Sequence, residues 1–190
     1  MRTLGILLAA GASRRFGAQD KLLADWHGAP LVLAAAHALE ASGCDALLAI
    51  VSDERVGAAL PASFDLRQLP RGLPLSRTWQ MARDCAIELH AERALFVLGD
   101  MPSVSAETLR TLINSDGTRA CVFNGTSLPP ALLTAEDMRR VPDRDNDQGA
   151  RALLRALPHQ SLVPLTAQEA CDIDTPEALR RTQENIRARP

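Results

Sequence analysis

The chain has 190 residues, 46% hydrophobic and 23% charged, with a net charge of −2 and a sequence pI of about 6.1. These values suit one globular domain over 1–190 and exclude a disordered chain. They also exclude a dedicated DNA or RNA binder, which carries a basic footprint. Aromatic residues are 3% with no Tyr, so the core must be aliphatic and base-stacking platforms are not expected.

In chain order, Thr3 to Ala9 is a continuous apolar run ending near a glycine, as expected of a strand buried on both faces. It has the look of a signal segment for about eight residues. Gly11 to Arg15 offers no small-x-small cleavage site, however, so a strand is the better reading. Pro30 to Glu40 reads as a helix with Pro30 in its first turn and Gly43 just past its end. Strand Ala46 to Val51, short helix Asp53 to Leu60 and strand Phe64 to Leu69 follow. Then come a long helix, Ser76 to His90, and a strand, Ala94 to Leu98, that stops at Gly99-Asp100-Met101-Pro102. Ser105 caps a helix running to about Asn114. Ala120 to Phe123 and Ala131 to Leu133 are short strands, Asp143 to Gln148 is a loop, and Gly149 to Leu157 is helical. Ser161 to Leu165 is a strand, and Pro176 to about Arg187 is the last helix. Strands alternating with helices predict an α/β fold of three layers, a mostly parallel sheet with helices on both faces.

No apolar run approaches the ~18 residues that span a bilayer. Cys44, Cys85, Cys121 and Cys171 form no CxxC pair, so buried free thiols in a reducing cytoplasm are expected. The four histidines lack metal-ligand spacing, and His37 reads as a hydrogen-bonded core residue. No serine nucleophile elbow is present. Trp79 reads as core on the long helix, with Cys85 inert beside it.

Three segments can carry chemistry, each at a strand end or a loop-to-helix turn, where open α/β sheets bind ligands. The first is Leu8-Ala9-Ala10-Gly11-Ala12-Ser13-Arg14-Arg15-Phe16-Gly17, followed by Lys21. Small residues after a buried strand let backbone N–H groups approach phosphate oxygens, and Arg15 and Lys21 add positive charge. Neither the P-loop nor the dinucleotide spacing is present. The alternative is a plain loop with solvated cations. The second is Asp100, which either takes part in holding Mg²⁺ or accepts backbone hydrogen bonds in a turn before Pro102. The third is Asp172-Ile173-Asp174-Thr175-Pro176-Glu177, where Thr175, Pro176 and Glu177 account for a helix start. Two aspartates spaced by two on an extended segment point the same way and can face one cation. For Asp172 a helix-start hydrogen bond is the alternative.

Taken together these segments resemble the MobA-like NTP transferases, the molybdenum-cofactor nucleotidyltransferases. The matching residues are the opening at 8–21, Gly28-x-Pro30-Leu31, Gly99-Asp100-Met101-Pro102, Asp147-x-Gly149-Ala150-Arg151 and the run from Asp172 to Glu177, in that order. The resemblance implies the Rossmann-like nucleotide-diphospho-sugar transferase fold. It also implies Mg²⁺-dependent attack of a substrate phosphate on the α-phosphate of an NTP, releasing pyrophosphate. Carried over, Arg15 and Lys21 are catalytic. Leu8, Ala9, Ala10, Gly11, Ser13, Gly17, Gly72 and Ser76 bind the nucleotide. Asp100 and Asp174 are the metal ligands, and Asp147, Gly149 and Arg151 meet the acceptor; the alternative for that last segment is a loop before a helix start, with Arg151 on the surface.

Leu-Ala-Ala-Gly openings are similar to those of CTP users and Leu-Ala-Gly-Gly openings to those of GTP users, so Ala10 implies cytidylyl transfer to molybdopterin. The chain departs from the pattern in three places. Gly17 and Lys21 are one residue further apart, Gln80 stands where a Gly is expected, and Pro129-Pro130 replaces a His-Pro pair. Two alternatives accompany this reading. One is transfer to another small phosphate acceptor, such as a sugar or polyol phosphate, for which the chain looks short. The other is a carrier that hands molybdenum cofactor to a molybdoenzyme or its maturation factor without chemistry. No nucleic-acid or membrane partner is expected.

Overall fold

The computed structural model describes residues 2–11, 15–17, 20–141 and 151–187. The elements in chain order are β1 (Thr3–Ala9), β2 (Asp25–Trp26), β3 (Ala29–Pro30), α1 (Val32–Glu40), β4 (Ala46–Val51), α2 (Glu54–Ala59) and β5 (Phe64–Gln68). They continue with α3 (Leu75–Glu88), β6 (Arg93–Leu98), α4 (Ala106–Ile113), β7 (Arg119–Phe123), β8 (Thr126–Thr134), α5 (Ala135–Arg140), α6 (Arg151–Arg155), β9 (Leu162–Pro164) and α7 (Pro176–Arg187).

Seven strands form one sheet in the order β5-β4-β1-β6-β8-β7-β9. The pairs β5–β4, β4–β1, β1–β6 and β7–β9 are parallel, and β8 runs antiparallel to both β6 and β7. Period-2 alternation divides the strand side chains between two apolar layers. Leu7, Ala49, Leu95 and Cys121 pack with Val32, Ala36, Leu39, Leu109 and Leu112 from α1 and α4. Ile6, Leu48, Phe96 and Leu133 pack on the other face with Trp79, Ala82, Met138 and Leu154 from α3, α5 and α6. The result is the expected three-layer sheet with helices on both faces.

The departures from expectation have local causes. Pro30 is not in a helix. It pairs with Asp25 in a two-residue hairpin whose loop, His27-Gly28, takes positive φ at both positions, so α1 begins at Val32. β8 is far longer than expected, because Pro129 and Pro130 interrupt its pattern. Both prolines fall where the β7–β8 register shifts, between the pairs Cys121↔Leu128 and Ala120↔Ala131, so no ladder donor is lost there. α5 was not anticipated; Thr134 caps it by accepting from the Asp137 N–H. His37 is exposed on α1 rather than in the core. All four cysteines are free; Cys85 and Cys121 are buried, while Cys44 and Cys171 are only partly so. Among the described residues no helix is long and apolar enough to cross a membrane. The expected 143–148 loop lies outside the described residues.

Phe96 is fully buried on the central strand β6 and stacks on Trp79 with ring centroids 4.2 Å apart. Phe96→Ala therefore removes both burial and stacking, at an expected cost of about 3–5 kcal/mol. A lower urea midpoint with an unchanged m value is the expected observation.

Candidate active site

The carboxyl ends of β5, β4, β1 and β6 lie side by side, as the registers Val51↔Gln68, Ala9↔Val51 and Leu8↔Leu98 require. Ala10-Gly11, Ser52-Asp53 and Gly99-Asp100 thus leave the sheet together. Backbone bonds lock this edge: Gly99 N–H donates to the Leu8 carbonyl at 3.0 Å, and Ile173 N–H donates to the Asp100 carbonyl at 2.9 Å. Ile173 is fully buried against Trp26 and Leu31. It pins the segment before α7, and the alternation of an extended chain then turns Asp172 and Asp174 back toward Asp100.

Asp20 accepts from the Leu22 N–H and starts a single 3₁₀ turn, Lys21–Leu23. Lys21 is 7% exposed, and its Nζ donates to Asp100 Oδ2 at 2.5 Å and to Asp174 Oδ1 at 2.8 Å. The largely exposed Arg15 donates from Nη2 to Asp174 Oδ2 at 2.6 Å. The longer spacing from Gly17 therefore does not keep Lys21 from the site. Burial disfavours the Lys21 ammonium, but the charges and hydrogen bonds of Asp100 and Asp174 outweigh it and hold its pKa above the ordinary value. Burial likewise works against the Asp174 carboxylate. Lys21, with Arg15, overrides that and keeps its pKa below the ordinary range. Asp172 goes the other way: burial and the charges of Asp174 and Asp100 push it up. Thr175 caps α7, its Oγ1 accepting from the Ala178 N–H.

Beside the aspartates opens a cavity of about 390 Å³ whose lining includes Ser76, Trp79, Met101, Thr126, Arg151 and Asp172. Ser76 lies at the start of α3; it is buried, and its hydroxyl has no partner among the described residues. The structure thus gathers Arg15, Lys21, Asp100 and Asp174 into one cluster and brings Ser76 and Arg151 to the adjoining cavity. Leu8, Ala9 and Ala10 have buried side chains, Leu8 and Ala10 in one apolar layer and Ala9 in the other, so they offer a ligand only backbone. Gly17 and Gly72 take positive φ in their loops and are not among the residues lining that cavity. Ser13, Asp147 and Gly149 lie outside the described residues.

Asp53 was missed, although it follows β4 as Asp100 follows β6, and that position was the available signal. It is buried, caps α2 through the Arg55 N–H, and binds Arg55 Nη2 at 2.7 Å and Arg71 Nη2 at 2.5 Å. It thereby ties the loop carrying Gly72 to the end of β4. Hydrogen bonds from Arg55, aided by the charges of Arg55 and Arg71, overcome burial and lower its pKa to about 2. Trp79 was also not named as a site residue.

Among the described residues no group of three or more His, Cys, Asp or Glu side chains is placed to hold a metal. Asp100 Oδ1 is buried without a hydrogen-bond partner among the described residues, so this carboxylate retains capacity for a further cation contact.

A family model described as MobA-like NTP transferase domain matches residues 5–162. No curated protein matches the chain. Rv0371c from Mycobacterium tuberculosis H37Rv is similar in structure, with a TM-score of 0.81 and 22% identity over 97% of this chain and 99% of that one. Its manganese complex gives a TM-score of 0.78 at 21% identity, with the same coverage. A nucleotidyl transferase from Methanothermobacter thermautotroptrophicus gives 0.79 at 20% identity over 98% and 99% of the two chains. A CMP:2-keto-3-deoxy-manno-octonic acid synthetase complexed with CTP gives 0.71 at 13% identity, again over 98% and 99%. At these identities the likeness is one of fold, the nucleotide-diphospho-sugar transferase variant of the Rossmann-like sheet.

A group whose carboxyl is depressed stabilises the fold above its unfolded pKa and loses that contribution as pH falls through the folded value. For Asp53 the window runs from about pH 4 down to about 2. Asp53→Asn is expected to have a lower urea midpoint than the parent at about pH 5, with the two converging toward about pH 2. Added salt narrows the difference, because both arginine partners are exposed.

Proposed function

Since the chain belongs to the MobA-like NTP transferase family, whose members are nucleotidyltransferases, we propose that it transfers CMP from CTP to molybdopterin with release of pyrophosphate. The observation that carries the reading is the convergence of Asp100 and Asp174 on Lys21, with Arg15 on the far oxygen of Asp174, at the carboxyl edge of the sheet. Phosphoryl and nucleotidyl transfer need alignment and charge neutralisation more than acid–base chemistry. This cluster is built for that.

In the proposed reaction an acceptor phosphate oxygen attacks the α-phosphorus of the NTP. The bond from that phosphorus to its bridging oxygen breaks, and the electron pair leaves with pyrophosphate. The attacking oxygen is already ionised, so no general base is required. The backbone after β1 cradles the nucleotide, and Arg15 and Lys21 meet its phosphates. The acceptor enters from the 390 Å³ cavity, where Trp79 and Met101 suit a flat, partly apolar body and Arg151 suits an anionic end. Asp100 and Asp174 are the residues that would hold Mg²⁺. The partnerless Oδ1 of Asp100 fits that role, as does magnesium's habit of using one or two carboxylates plus substrate phosphates. When bound, the ion supplies further neutralisation of phosphate charge.

The CTP preference rests on the Leu8-Ala9-Ala10-Gly11 opening. The Ala10 methyl itself is buried in the apolar layer that also holds Trp79, so any influence on the base is exerted through packing. A second reading, transfer to a sugar acid or sugar phosphate, draws on the likeness to the CTP-bound synthetase, whose chain is matched along 99% of its length. That full-length match also weakens the expectation that a sugar acceptor needs a longer chain.

Pyrophosphate release with Mg²⁺, measured for CTP and GTP with and without molybdopterin, tests the proposal. Molybdopterin-dependent release with CTP alone is expected; release with GTP alone would reverse the base assignment. Tight CTP binding with no release would move the acceptor elsewhere or favour a carrier. Asp100→Ala separates those roles, because it abolishes turnover in an enzyme and leaves a pure carrier working.

A further inference from the structure

Lys21 is the chain's single lysine; the other twenty of its 21 basic Lys and Arg side chains are arginines. This lone ammonium is buried, and it occupies the point where the carboxylates of Asp100 and Asp174 converge. The proposed function assigns two duties to that point: the carboxylates hold a divalent ion, and Lys21 meets phosphate. Both cannot be met at once with the side chain where it lies. An ammonium in contact with both carboxylates repels a divalent ion brought to the same oxygens, and burial of the ammonium beside partly exposed carboxylates strengthens that repulsion over its value in water.

We propose that Lys21 is a displaceable internal cation that fills the Asp100–Asp174 site until a divalent ion takes it, then turns outward to the phosphates of the nucleotide. Metal and nucleotide binding are thereby coupled through one side chain. The inference rests on the reading of Asp100 and Asp174 as the metal ligands. The chemistry of the side chain suits the role. Lysine carries a compact charge on a flexible four-carbon stem, able to sit between two carboxylates and to rotate away. A guanidinium is a planar fork that pairs with one carboxylate bidentately and exchanges poorly. Arg15 leaves the motion free, since it holds the other oxygen of Asp174 from solvent. Asp100 Oδ1, buried and without a partner, is a contact the ammonium does not use and an incoming ion can.

The uniqueness of Lys21 provides the test. The full-length protein is treated with an amine-acetylating reagent and the rate at Lys21 is followed by mass spectrometry, with the N-terminal amine as internal control. Mn²⁺ alone is expected to raise the Lys21 rate about tenfold, within the usual range of site coupling, and CTP added with Mn²⁺ to suppress it again. An unchanged rate while Mn²⁺ binds overturns the proposal.

A second measurement titrates Mn²⁺ without nucleotide, by electron paramagnetic resonance of the free ion. Lys21→Met is expected to bind Mn²⁺ about tenfold more tightly than the parent, and Lys21→Met with Asp174→Asn to lose that gain. Binding that depends on Asp174 but is no tighter in Lys21→Met overturns the displacement and leaves the metal ligands standing. Binding indifferent to Asp174 overturns both.

Discussion

The structure depends on one electrostatic knot: the ammonium of Lys21 between the carboxylates of Asp100 and Asp174. Its three members come from distant parts of the chain, and two of them are on segments with little secondary structure of their own. What brings them together is backbone geometry. Parallel pairing of β1 and β6 sets Leu8 beside Leu98, the Gly99 and Ile173 N–H groups extend that alignment past the sheet, and buried Ile173 anchors the late segment. An isolated buried lysine would be driven to its neutral form; here the charges and hydrogen bonds of Asp100 and Asp174 hold the Lys21 ammonium.

The same edge of the sheet separates two environments. On one side charge is concentrated, with Arg15, Lys21, Asp100 and Asp174 in contact. On the other, the cavity has an apolar wall fixed by the Trp79–Phe96 stack and a few polar groups, among them Ser76, Asp172 and Arg151. Under the proposed function, the charged cluster would meet phosphates and the partly apolar recess would take an acceptor that is more than a phosphate. Asp172 lies on the border, and its elevated pKa reflects both burial and two neighbouring carboxylates.

Much of this was legible in the sequence, for physical reasons. β1 buries both faces, so its apolar run is unbroken and its limits are clear. Asp100 and the run from Asp172 to Glu177 stand out because ionised groups directly after strands or before helices are where ligands and caps occur. What stayed hidden depended on contacts between distant residues. Nothing local to Lys21 says that it bridges two aspartates rather than lying in solvent. β8 was obscured because its prolines are tolerated only through a register break in a neighbouring strand. The hairpin at His27-Gly28 has strands of two residues, too short for any periodicity. α5 did carry a local signal, Thr134 three residues before Asp137. His37 was assigned to the core from its apolar neighbours, but those neighbours face inward on the opposite side of the helix from it.

The central claim is that Asp100 and Asp174 act as one unit on a shared cation. It is tested most directly by the turnover numbers of Asp100→Asn, Asp174→Asn and the double variant, each with CTP binding measured alongside. Groups that serve a single function are strongly non-additive. Each single change is expected to lower turnover by at least about a hundredfold, and the double variant to be no slower than the slower single. A double variant whose loss is the product of the two single losses would show the carboxylates working independently and would contradict the account.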